Sequence, residues 1–296
     1  HRAVGKSARG AAAIYRARLG PPERAVAALD RAVAAEPEDR ELRSMLAEGL
    51  YAAGRHDEAR ELLEKLIAGF GRRRSPERAQ AHLWLARVLH AQESEEAIDQ
   101  LETASRMDPS NATILMTLAD LARHSGQLDR AERAYRTLLM TVRRASEPET
   151  LPIGPTEVLM ELSLLAKARG DDNKAGELVE SVLESLTQND DEGPQIQERL
   201  RAKNELELLR RVLAHRLERV KTPHKLAAIH AALGQTLADL GKDDEALSAR
   251  LEAVKTDPGS PPHHAAALAH ATAAGRLDAY VSVVEALLSD ERADSN

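Results

Sequence analysis

One pattern recurs along this chain and limits what it can fold into. It is clearest in Ala112–Ala145, ATILMTLADLARHSGQLDRAERAYRTLLMTVRRA. Leu115, Leu118, Ala119 and Ala122 return at helical spacing. Gly126 then ends that helix, because glycine enters the left-handed C-cap conformation without penalty. Ala131, Tyr135 and Leu138 share one face of a second helix, and Asp108-Pro109 ends the helix before the unit, since proline lacks an N–H and fixes φ. Two amphipathic helices folded back on each other leave an apolar face that the pair cannot bury alone. Repetition at about 34 residues therefore demands that neighbouring units stack into an array.

The pattern returns in Lys6–Asp39 with Gly20, Ala25, Leu29, Ala32 and Pro37. It returns again in Arg40–Arg73 with Leu46-Ala47, Gly54, Ala59, Leu63 and Leu66, followed by the basic insert Arg72-Arg73-Arg74-Ser75-Pro76. The third unit has Leu85-Ala86, Ala97, Leu101, Ala104 and Pro109. It lacks a turn glycine and is one residue short between Ala86 and Ala97, which predicts a tighter turn. The proline-bearing loop Glu147–Pro155 precedes a fifth unit, from Thr156 through Gly170, Ala175, Val179 and Val182. After Asn189–Pro194 the apolar stripe of Gln195–Val220 meets no Gly or Pro and reads as one helix of roughly seven turns, ended by Pro223. Ala227–Ser260 and Pro261–Asp294 resume the pattern, and the polar end Ser289–Asn296 is expected to fray. The expectation is an all-α solenoid of antiparallel helix pairs in one continuous array: units one to five over 1–189, a loop and long irregular helix over 190–222, and units six and seven with a frayed tail over 223–296.

Composition narrows the function. Hydrophobic residues make up 43% but aromatics only 2%, so Ala and Leu must carry close helix–helix packing. The net charge of −7 argues against a general nucleic-acid binder, which needs a basic footprint. The absence of cysteine removes disulfides and thiolate chemistry. No run of about 18 apolar residues predicts membrane insertion. No signal-peptide pattern is visible, which favours the cytoplasm, although the chain opens on His1 and reads as an excised piece. No phosphate-binding glycine loop or nucleophile elbow occurs, and no catalysis is expected. The eleven histidines include no i, i+4 pair of the kind that chelates on a helix, so neither a metal nor another cofactor is expected. Asp171-Asp172 and Asp243-Asp244 read as helix N-caps.

Leu233-Gly234 with Gly241, Ala246, Ala253 and Pro258 resembles the tetratricopeptide repeat consensus, as does Leu118-Ala119 with Gly126, Ala131, Tyr135 and Leu138. The resemblance covers seven units. It implies that first helices line a concave face, where members of the family hold peptides or partner helices. Placing residues on that face gives Glu48 and Tyr51, Arg87 and His90, then Met116, Asp120 and Arg123, and finally Met160 and Lys167. Methionines among charges of both signs suit an amphipathic segment; a merely solvated surface would carry the same mixture. Co-chaperone members clamp a C-terminal carboxylate with Lys and Asn, but Ser44, Glu48, Met116 and Asp120 stand at those positions, which argues against that subtype. The expected function is a non-catalytic protein–protein interaction scaffold with a peptide or partner helix in its groove. The alternative is a regulatory arm of a larger enzyme or transcription regulator, its Ala228, Ala231, Ala265 and Ala269 receiving another helix. The stripe of Gln195–Val220 could pair with a second copy or be buried against the fifth unit.

Overall fold

A computed structural model describes residues 22–147, 150–188 and 190–294. Among them are fifteen α-helices and no strand. These are α1 (Pro22–Ala35), α2 (Arg40–Ala52), α3 (His56–Gly69), α4 (Pro76–Ala91), α5 (Glu96–Met107), α6 (Ala112–His124), α7 (Leu128–Arg144) and α8 (Pro155–Ala168). They continue as α9 (Asp172–Gln188), α10 (Gly193–Ala202), α11 (Leu206–Arg219), α12 (Pro223–Asp239), α13 (Asp243–Thr256), α14 (Pro261–Ala273) and α15 (Leu277–Asp294). The chain divides into two compact units, His1–Val158 and Leu159–Asn296. The first helix expected in Lys6–Asp39 lies outside the described residues.

Helix pairs are closed by one repeated device. Gly54, Glu93, Gly126, Gly170, Asn204, Gly241 and Gly275 all have φ between 57° and 77°. The residue after each donates its N–H five residues back, to Leu50, Leu89, Ala122, Ala166, Leu200, Leu237 and Ala271 in turn, at 2.7–3.0 Å. This is the Schellman closure, which satisfies carbonyls that a helix end leaves open. Three first helices also carry side-chain caps at their starts. Asp39 accepts from the N–H groups of Glu41 and Leu42, Ser75 from Arg78, and Asn111 from Ile114. Ala47, Ala86 and Ala119 on the first helices and Ala59, Ala97 and Ala131 on the second are all buried, none more than 2% exposed. These small residues allow the approach that the Ala/Leu-rich composition implied.

The long helix expected over Gln195–Val220 is instead two, α10 and α11, broken at Lys203-Asn204-Glu205. Asn204 takes the left-handed conformation that glycine takes elsewhere, which asparagine tolerates better than most residues. Both flanking charges reach α8: Lys203 Nζ lies 2.8 Å from Glu161, whose side chain is 2% exposed, and Lys167 Nζ lies 2.7 Å from Glu205. Ile196, Leu200, Leu209, Val212 and Leu213 of these two helices are buried, while Leu206, Leu217 and Val220 are half-buried.

Three smaller expectations are also corrected. The third unit's turn is not tighter: Glu93 supplies the left-handed residue, and the missing position falls between it and Ala97, at the start of α5. Asp171 caps α9 through Lys174 N–H, but Lys242 holds the N-cap position of α13, with Asp243 and Asp244 inside its first turn. Helix α15 runs through most of the tail expected to fray. A left-handed glutamate is strained by about 1 kcal/mol or more. Glu93→Gly is therefore expected to raise stability by about 1 kcal/mol, read from the urea midpoint; no gain would mean that contacts of the glutamate offset its strain.

Candidate partner-binding face

In the first unit, helices α2, α4 and α6 line two clefts. In the first, Glu41, Ser44, Met45 and Glu48 of α2 face Gln80 and Trp84 of α4. The second, of about 290 Å³, lies between α4 and α6. Its walls are Arg87 and His90 on one side and Thr117, Asp120, Leu121 and His124 on the other, over Ala86 and Leu101. Leu101, wholly buried on α5, gives this cleft an apolar floor.

Spacing within each helix explains the lining. Gln80, Trp84 and Arg87 follow at intervals of four and three, so they share one face of α4. The opposite face goes inward, including His82, whose Nδ1 lies 2.7 Å from Gln100 Oε1. Burial, reinforced by Arg78 and opposed by the Gln100 hydrogen bond, holds His82 below the ordinary imidazole range, so it is neutral and structural. On the exposed face Arg87 Cζ sits 4.5 Å from the Trp84 ring centroid, a cation–π contact. Tyr51 packs against Trp84 at 5.7 Å and His56 at 5.5 Å between ring centroids.

The Tyr135 hydroxyl of α7 donates to Asp120 Oδ1 of α6 at 2.5 Å. His124 Nδ1 lies 2.7 Å from the Asp120 carbonyl, so that nitrogen carries the proton and Nε2 accepts from Arg123 Nη2 at 3.3 Å. Asp120, Arg123 and His124 thus form a positioned set.

Seven of the residues expected on the face lie in this unit: Glu48, Tyr51, Arg87, His90, Met116, Asp120 and Arg123. Four of them, Glu48, Arg87, His90 and Asp120, line the clefts. Tyr51 is committed to the aromatic cluster. Met160 is a correction: its side chain is fully buried, because residues 156–163 are buried on every side of α8. Lys167 is exposed but belongs to the second unit and pairs with Glu205. Gln80, Trp84, Thr117 and His124 also line the clefts, although the repeat pattern does not single them out. The signal for Trp84 was available, since the chain's single tryptophan stands three residues before Arg87. No described helix is long and apolar enough to cross a membrane.

Stacked helix pairs, each closed by a left-handed residue, define the class: an α-solenoid presenting a face of first helices. Residues 18–71 and 89–149 match the family model described as Tetratricopeptide repeat. Those two stretches, both in the first unit, are similar to tetratricopeptide repeats. Among solved structures the chain is similar to a tetratricopeptide repeat protein from Parabacteroides merdae, with 11% identity, 90% of this chain and 98% of that chain covered, and a TM-score of 0.50. It is also similar to MamA from Desulfovibrio magneticus, with 19% identity, coverages of 63% and 97%, and a TM-score of 0.48. For yeast Tom70 the identity is 15%, the coverages are 89% and 54%, and the TM-score is 0.47, so the chain spans about half of that structure. At these identities the likeness shows the fold alone. No curated protein sequence matches the chain.

Proposed function

We propose that the protein is a non-catalytic interaction scaffold that holds a segment of a partner protein across α2, α4 and α6. The observation that carries this reading is the lined cleft between α4 and α6, where an apolar floor lies beneath polar groups held at fixed positions. A solvated surface has no need of such a floor. Four of the groove residues expected from the repeat pattern line these clefts, which also supports the reading.

Thr117 stands in the wall of the cleft and is half-buried. Thr117→Trp is therefore expected to fill it while leaving the helices intact. Partner capture from native lysate on the immobilised full chain should fall at least about tenfold, by more than 1.4 kcal/mol of binding. Capture unchanged in a variant with wild-type circular dichroism would overturn the reading.

A further inference from the structure

Resting on that reading, we infer that a pocket at the start of α2 and α4 takes one aromatic side chain of the partner segment, a Tyr or a Trp. The pocket, of about 570 Å³, is shaped by the basic insert at 72–76. The insert separates the end of α3 from the start of α4, with Leu66, Phe70 and Pro76 around the open space. Residues from Arg73 to Gln80 supply half of the lining. They fall between the two stretches similar to tetratricopeptide repeats, 18–71 and 89–149, so the pocket belongs to this chain's own insertion. Its walls are held in place. Gly71 turns the chain at φ 59°, Ser75 accepts from the Arg78 N–H at 3.2 Å, and Arg78 Nη1 donates to the Arg73 carbonyl at 3.3 Å. Arg40 Nη2 donates to the Gly69 carbonyl at 2.8 Å, and its Cζ stands 4.7 Å from the centre of the Phe70 ring.

Charge, size and polarity select the occupant. Arg40 and Arg73 in the lining are matched by Glu41 and Glu77, so neither a carboxylate nor an ammonium group is favoured. The volume lies in the roughly 300–1,000 Å³ range of ligand pockets and admits the largest side chains. Leu66 is buried, and Phe70, the chain's single phenylalanine, is half-buried, which leaves part of its ring as an apolar wall. An aliphatic side chain would gain only burial there. An aromatic ring gains burial and stacking together, because guanidinium faces and phenyl rings both attract it. Ser44 and Gln80 also line the pocket, both half-buried, and neither side chain hydrogen-bonds to another described residue. Their oxygens can accept from a phenol O–H or an indole N–H, which favours Tyr or Trp over Phe. Glu41, Ser44 and Gln80 line the α2–α4 cleft as well, so a segment on the proposed face reaches the pocket with one side chain.

The test is selection from a random twelve-residue peptide library on the immobilised full chain, followed by a coupling measurement. Enriched peptides are expected to share one Tyr or Trp. Changing it to Ala should weaken binding at least about tenfold on the wild type and less than about threefold on Phe70→Ala, since a contact already removed cannot be lost twice. Arg40→Ala, at an exposed residue, should reduce the same penalty and serves as the bait if Phe70→Ala does not fold. A shared Leu, Ile or Met that couples to Phe70 in this way would overturn the aromatic assignment. An aromatic residue whose loss costs the same on every bait, in peptides blocked by Thr117→Trp, would overturn the pocket and leave the groove standing. Peptides indifferent to Phe70→Ala, Arg40→Ala and Thr117→Trp alike would overturn both. An absence of enrichment over the Phe70→Ala bait would overturn the pocket.

Discussion

Replacing Arg216 with alanine is expected to destabilise the second unit by about 3 kcal/mol, toward the low end for a broken buried ion pair. Arg216 is 5% exposed, and its guanidinium grips Asp190 with two hydrogen bonds, Nε to Oδ1 at 2.6 Å and Nη2 to Oδ2 at 2.8 Å. Nη1 reaches Gln197 Oε1 at 3.2 Å. One side chain on α11 thereby ties down the short turn before α10 and the first half of α10 itself. Removing it leaves Asp190 without its charge partner, although 27% of that side chain stays in solvent and moderates the loss. Gly193 belongs to the same device, since a Cβ there would lie 2.5 Å from Arg216 Nε. Gly193→Ala should displace the guanidinium and lower stability in the same direction. Urea unfolding with hydrogen exchange resolved over α10 and α11 measures both. A loss below 1 kcal/mol for Arg216→Ala, with exchange in α10 unchanged, would show that the pair does not hold this turn.

This contact also shows where the sequence stopped being readable. Reversals with glycine at the left-handed position, such as Gly126 and Gly241, are written locally, because only the backbone conformation matters there. Asn204 and Glu93 occupy the same conformation without glycine's signature. At Asn204 the flanking ion pairs reach Glu161, 42 residues from Lys203, and Lys167, 38 residues from Glu205. No local pattern contains that information, and the apolar stripe of Gln195–Val220 fits one helix as well as two. Met160 was misplaced for a related reason. The repeat register puts it on an exposed face, but α8 is buried all round from Thr156 to Ser163, which an amphipathic rule does not anticipate. On α4 and α6, by contrast, each helix keeps one buried and one open face. There the spacing puts Arg87, His90 and Asp120 on faces that the structure leaves open as walls of the cleft. What it could not supply was their hydrogen bonding, such as the Tyr135 hydroxyl on Asp120 and the His124 ring on the Asp120 carbonyl.

Gly234→Leu is expected to lower stability by about 3 kcal/mol, at the upper end for overpacking, because one of the obstructing atoms is backbone. A Cβ at Gly234 would lie 2.6 Å from Arg250 Cγ and 3.1 Å from the Ala246 carbonyl oxygen. Arg250 cannot simply swing aside: Nη2 donates to Gln235 Oε1 at 2.9 Å and Nη1 to the Ala266 carbonyl at 3.0 Å. The same crossing in α6 and α7 is built from Ala119, Tyr135 and Asp120. In both pairs the second helix sends a donor to the residue following the small one, so Arg250 and Gln235 stand where Tyr135 and Asp120 stand. Glycine is needed in one pair because the arginine stem lies across the helix. A double-mutant cycle separates this account from a general intolerance of bulk. Gly234→Ala should destabilise the wild type by about 1 kcal/mol or more, yet stabilise Arg250→Ala, where the stem is gone and alanine's helix propensity contributes up to about 1 kcal/mol. If Gly234→Ala has the same effect in both backgrounds, the Ala246 carbonyl alone sets the limit, and the arginine is not the reason that glycine stands at position 234.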